Sequence, residues 1–181
     1  AVAFGTALRQ WSVKPTTPGF NGFSGQMLVN QLVKRSENAR ELAEVLSDVL
    51  RVPTDRAEAR RKIDRLVAHI EEIRVGAHPA PGHVPFLVSY FWALQDHDTW
   101  PLIWSTAASF TEFCTGQSLP ASPSDRYDRY CDFVASVDDD FERFERVAAW
   151  WDEFKPLILD PVLVDRCEFG IDSERISAEA L

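Results

Sequence analysis

Val84-Pro-Phe-Leu-Val-Ser-Tyr-Phe-Trp-Ala-Leu-Gln95 is apolar almost all the way round. A segment of that kind belongs in the middle of a structure, as a central helix or as a buried strand. Its length favours the helix, and Pro85 suits the first turn, where a missing N–H costs nothing. The stretch predicts a central helix that other elements must cover.

Working upstream, His78-Pro-Ala-Pro-Gly-His83 is a turn that redirects the chain. Before it, Ala59, Ile63, Leu66, Val67 and Ile70 form the buried stripe of a helix, with Arg60, Arg61, Lys62, Asp64 and Arg65 toward water. Thr54 stands as its N-cap, Glu58 lies close to the capping-box position, and Gly76 stops it after about Val75. Leu42, Val45, Leu46, Val49 and Leu50 repeat every 3.6 residues and end before Pro53, with Ser36 as cap and Glu37 in the first turn. Met27, Leu28 and Leu32 mark a further helix over about 25–35, with Ser24 at its N-cap.

Downstream, Asp96-His-Asp-Thr-Trp-Pro101 is a second turn. Residues 102–115 read as a short helix carrying Leu102, Ile103, Trp104, Phe110 and Phe113. Ser122-Pro-Ser124 opens another, with Tyr127, Tyr130, Phe133, Val134 and Val137 on one side. Phe141, Phe144, Val147, Ala148 and Trp151 repeat the pattern over 140–154. Only 157–159, 162–164 and 167–171 look extended. The expected fold is mainly α: one compact domain of about six to eight helices, with at most a small β element near the C-terminus. Residues 1–24 form a basic, turn-rich segment, 25–169 the helical domain, and 170–181 an acidic tail expected to be mobile.

The 181 residues fit one domain, and six Trp, twelve Phe and three Tyr are too many for a disordered chain. The chain starts at Ala1, as an excised or processed domain would. No apolar run approaches the roughly 18 residues of a membrane span, and the signal-peptide pattern is missing. Cys114, Cys131 and Cys167 are widely spaced and odd in number, which suits reduced thiols in a cytoplasmic protein. The net charge is −9, whereas proteins that hold nucleic acid mainly through phosphates are usually basic. That charge is unevenly spread. Residues 1–35 carry Arg9, Lys14, Lys34 and Arg35 and no acid, while 121–181 hold sixteen acids against seven bases.

Chemical signatures are sparse. No P-loop, GxGxxG, HExxH or GxSxG occurs, and Gly19-Phe-Asn-Gly-Phe-Ser-Gly25 reads as turn chemistry. Asp138-Asp-Asp140 lacks the glycine and spaced ligands of a calcium loop. Hence no catalytic residue, cofactor or metal ligand is assigned. His78, His83, His97 and Asp98, from adjoining loops, are the only set offered for a metal-dependent enzyme.

Aromatic residues stand out more. Phe86, Tyr90, Phe91, Trp92, Trp100 and Trp104 fall within nineteen positions. Rings beside polar groups can stack a flat ligand and read its edges, so Trp92, Gln95, Asp96 and Trp100 form a candidate pocket. Adjacent Trp150 and Trp151 point about 100° apart on a helix, so one of them sits at a boundary or an interface.

Three stretches are familiar together: Phe20-Asn-Gly-Phe-Ser-Gly-Gln-Met-Leu-Val-Asn-Gln-Leu-Val-Lys34, Gly76-Ala-His-Pro-Ala-Pro-Gly-His83, and Pro85 to Asp96 followed by Trp100-Pro101. Over about residues 18–115 the chain resembles the region ahead of the ATPase core in McrB-type AAA+ restriction and phage-defence proteins. The resemblance implies a non-catalytic accessory or target-recognition domain that reads DNA or a modified base. Any nucleotide hydrolysis would then reside in a fused or partner AAA+ domain.

The leading expectation is accordingly a DNA-recognition module. Arg9, Lys14, Asn21, Gln26, Lys34 and Arg35 would meet the nucleic acid, and the aromatic pocket would hold a base. The alternative is a protein–protein or self-association domain using Trp150 or Trp151 and the acidic C-terminal third. The third is the small-molecule or metal-dependent enzyme.

Overall fold

A computed structural model describes Ala3 and residues 24–137. The helices in that range are α1 (Ser24–Arg35), α2 (Ala39–Val49), α3 (Arg56–Ile73), α4 (Val84–Gln95), α5 (Ser105–Thr115) and α6 (Pro123–Val137). A single 3₁₀ turn, Pro81–His83, leads into α4. No strand occurs among the described residues; the nearest thing is an isolated bridge between Val75 and His78. The fold is mainly α, as the periodicity requires. The expected helix over 140–154 and the extended stretches beyond it lie outside the described residues.

Helix α4 is the centre. Val84 through Tyr90 and Trp92 are all buried, and of its large apolar side chains only Leu94 is strongly exposed. Around it Leu28, Leu32, Leu42, Ile63, Leu66 and Ile70 are fully buried, so α1, α2 and α3 each contribute an apolar stripe to one core. Helices α2 and α3 run antiparallel. Arg51 O accepts from Lys62 Nζ at 2.7 Å, and Asp48 pairs with Arg65 one turn earlier on α2 and one turn later on α3. Helix α6 lies antiparallel along another side of α3, where Arg56 meets Asp128 and Asp132, and Arg60 meets Asp125 and Asp128. Partly exposed pairs of this kind contribute ~0–1 kcal/mol each, so the apolar contacts hold the helices together and the pairs fix direction.

Four local expectations are corrected, the first two of them helix caps. The N-cap of α2 is Asn38, not Ser36: its Oδ1 accepts from Arg40 N at 3.2 Å and Glu41 N at 3.1 Å. Ser36 instead donates to Asn38 O. The N-cap of α3 is Asp55, not Thr54, and Asp55 Oδ1 accepts from Glu58 N at 2.6 Å. Thr54 still takes part, because its N and Oγ1 both donate to Glu58 Oε2 at 2.7 Å. These two bonds, with Lys62 beside them, hold the Glu58 carboxyl down to about 2.

Lys62 is the third. Periodicity puts it on the solvent face, yet only 5% of it is exposed. Its ammonium is accommodated by the free carbonyl of Arg51 just past the end of α2 and by Glu58 at 3.2 Å. A buried charge is tolerable when it is paired and hydrogen-bonded, and this one also satisfies a carbonyl that the end of α2 leaves open.

Helix α5 begins at Ser105 rather than 102. The reason is that the preceding backbone is already engaged. Pro101 O accepts from Tyr127 Oη and Leu102 O from Tyr130 Oη, both at 2.9 Å. Ser89 Oγ donates to Ile103 O at 3.3 Å and accepts from Ile103 N at 3.2 Å. The segment is thus threaded outside any helix between α4 and α6. At its far end α5 stops at Gly116, whose φ of 63° is the left-handed conformation that favours glycine.

Candidate functional site

The aromatic cluster assembles as the sequence suggested, but it is closed. Trp92 is 0% exposed and Trp100 2%. Trp92 meets Trp100 edge-on at a centroid distance of 5.7 Å and Tyr127 at 5.5 Å, a favoured arrangement for buried rings. Trp92 Nε1 donates to Val49 O at 2.9 Å. Neither indole leaves a face for a ligand, which corrects the expected pocket. Rings from α6, distant in sequence, fill the space that the segment around α4 was expected to leave concave.

The polar members of that set are latches. Gln95 Nε2 donates to Leu50 O at 2.8 Å and to Phe91 O at 2.6 Å, and its Oε1 accepts from Val52 N at 3.0 Å. It ties the end of α4 to the exit of α2. Asp96 caps the other side of the same corner, accepting from Thr99 N at 3.2 Å. Cys131, also in this region, is pushed up to about 12 by burial, and so is half-buried Cys114. Both thiols are free and inert at neutral pH.

Of the nucleic-acid set, Arg9, Lys14 and Asn21 lie outside the described residues, and Gln26 is placed on α1 by its backbone alone. Lys34 and Arg35 occupy the last turn of α1, exposed, where cations complement the helix dipole. Neither forms an ion pair with another described residue. Arg40, Arg56, Arg60, Arg65 and Arg74 all do. Trp150 and Trp151 also lie outside the described residues.

The histidines proposed for a metal do not converge. His83 ends the 3₁₀ turn before α4 and His78 precedes that turn, close enough that His78, after burial itself, helps to lower the His83 pKa, with Arg126 adding to the effect. His97 sits past the opposite end of that helix, where its Nε2 lies 3.0 Å from Asp98 Oδ1 and both side chains are largely exposed. Twelve residues of α4 separate His83 from His97, about 18 Å at 1.5 Å per residue.

A different histidine is the unexpected one. His69 gave no signal in the sequence, where it falls within the stripe of α3 and no second histidine stands at helical spacing. It is buried, and Nε2 has no hydrogen-bond partner. Donor atoms of Glu41, His69 and Glu72 lie within 4.8 Å of one another. The three-residue step from His69 to Glu72 on a helix was legible; the approach of Glu41 from α2 was not. Among the described residues, no helix is long and apolar enough to cross a membrane. Comparison with protein-family models, curated proteins and solved structures found no match.

Proposed function

We propose that this helical unit is a non-catalytic recognition module of a cytoplasmic defence-type protein, contacting DNA beside an AAA+ motor on the same or a partner chain. The observation that carries the reading is the sorting of positive charge. Most arginines of α3 are absorbed by Asp48, Asp125, Asp128 and Asp132. Lys34 and Arg35 are exposed with no ion pair among the described residues, and they end an acid-free stretch that also holds Arg9 and Lys14. A cation whose charge is already neutralised within the fold gains little from a phosphate, whereas a free one releases counterions when it binds. With Trp92 and Trp100 sealed, the contact is one of backbone phosphates, and base selectivity must come from residues other than these two.

The test is a fluorescence titration of modified and unmodified duplexes at ~50 mM salt and upward, with the parent chain and a Lys34→Glu/Arg35→Glu variant. Loss of two phosphate contacts should weaken binding to all sequences alike and flatten the plot of log K against log salt by about 1.8, at roughly 0.9 per contact. Absence of binding by the parent at the lowest salt, with either duplex, overturns the reading.

A further inference from the structure

Glu41 projects from the first turn of α2, and His69 and Glu72 from the last turns of α3. The antiparallel pairing of the two helices brings them together at the end of the hairpin opposite Lys62. His69 is only 6% exposed, and its Nε2 is the one buried side-chain nitrogen or oxygen among the described residues with no partner. Buried polar atoms are nearly always satisfied, so an orphan of this kind calls for a bound water or ion. Glu41 and Glu72 add a second indication. Both are exposed carboxylates without an ion pair to any described residue, although their neighbours Glu44 and Glu71 are matched to Arg40 and Arg74. Two unmatched carboxylates gathered around one imidazole repel each other unless a cation lies between them.

We propose that Glu41, His69 and Glu72 bind a divalent first-row transition ion, for which Zn²⁺ is the reference, with His69 ligating through Nε2. The donor set decides the class. An imidazole nitrogen with two carboxylate oxygens suits zinc and its neighbours, whereas calcium and magnesium take oxygen only and copper(I) wants sulfur. Two carboxylates balance the charge of the ion. Ligand atoms on one ion with bonds of ~2.0–2.2 Å stand about 3–3.5 Å apart, so the cluster, whose donor atoms lie within 4.8 Å of one another, must close by up to about 1.5 Å. The glutamates can supply that movement, because both are exposed side chains on rigid helices. Three protein ligands leave at least one position for water. Bound there, the ion clasps the start of α2 to the end of α3.

The experiment uses the full chain, purified without a polyhistidine tag and stripped with chelator. Isothermal titration with ZnCl₂ is run on the parent, on Glu41→Gln, on Glu72→Gln and on a His78→Ala/His83→Ala control. The amide substitutions keep size and polarity at exposed positions, so folding is retained, and circular dichroism verifies it. One ion per chain is expected. Its affinity should fall at least ~10-fold in each glutamine variant, remain unchanged in the control, and not be reproduced by Mg²⁺ or Ca²⁺. In ¹⁵N-resolved imidazole spectra, Zn²⁺ should shift Nε2 of His69 ahead of any other histidine nitrogen. No zinc binding, binding lost in the His78/His83 control, or binding indifferent to both glutamine substitutions overturns the site.

Discussion

Replacing Trp92 by Phe separates a structural indole from a ligand-binding one. In the folded chain Trp92 is wholly buried and its Nε1 donates to Val49 O at 2.9 Å. Phe keeps an aromatic ring against Trp100 and Tyr127 but removes the donor. Val49 O lies in the last turn of α2, where no further helical amide can reach it, so the carbonyl is left buried and unpaired. An unsatisfied buried acceptor costs about 1–3 kcal/mol. The smaller ring also leaves roughly 40 Å³ unfilled, which at ~24 cal/mol per Å³ adds about 1 kcal/mol. The expected loss is therefore about 2–4 kcal/mol, a large part of the ~5–15 kcal/mol that domains possess. Urea unfolding followed by circular dichroism measures it as a lower midpoint at unchanged slope. A side chain lining an open pocket has no such role, and its replacement falls within ~0.5 kcal/mol of the parent. A Trp92→Phe variant that stable would refute the sealed-core assignment.

Glu58 links stability to acid. Its carboxyl ordinarily titrates near 4.5 and is held at about 2 by Thr54 and Lys62, so the folded state prefers the ionised form. Stability from this group is fully present above pH 4.5 and is lost as pH falls toward 2. The Tm difference between the parent and Glu58→Gln should shrink across that window, and a difference independent of pH there would count against the interaction. Asn38→Ala should cost about 1 kcal/mol by removing the cap of α2, while Ser36→Ala stays within ~0.5 kcal/mol. Urea midpoints in the reverse order would return the cap to Ser36.

Much of the helical layout was legible because periodicity reports burial. Leu42, Val45, Leu46 and Val49 line the core face of α2 where their spacing put them, and α4 is central because it has no polar side to give to water. Three features were not legible, each because a distant residue decides them. Lys62 is buried only because Arg51 O and Glu58 are there to receive its ammonium. Residues 101–103 stay out of α5 because two tyrosines of α6 and Ser89 take their backbone groups. The aromatic segment has no cleft because Tyr127 packs onto Trp92. Local pattern carries which face is apolar, but not which side chain from elsewhere will satisfy a given carbonyl.

The same accounting explains why the chemistry lies away from the aromatic residues. A binding site needs capacity left over: an acceptor without a donor, a charge without a counter-charge. Around α4 that capacity is used up, with Trp92 Nε1, Ser89 Oγ, Tyr127 Oη and Tyr130 Oη all joined to backbone. On the α6 side of α3 it is used up as well, since Arg56 and Arg60 face a row of aspartates. Capacity does remain at the α2–α3 end, with His69 Nε2 and two glutamates outside any ion pair among the described residues, and at the end of α1, with two such cations. These places carry opposite charge and so select opposite ligands, a cation for one and phosphates for the other. Because they sit on different helices with no shared residue, substitutions at Glu41 or Glu72 should leave DNA titrations unmoved, and those at Lys34 and Arg35 should leave zinc titrations unmoved. Crossed effects in both directions would mean that the two places form one site.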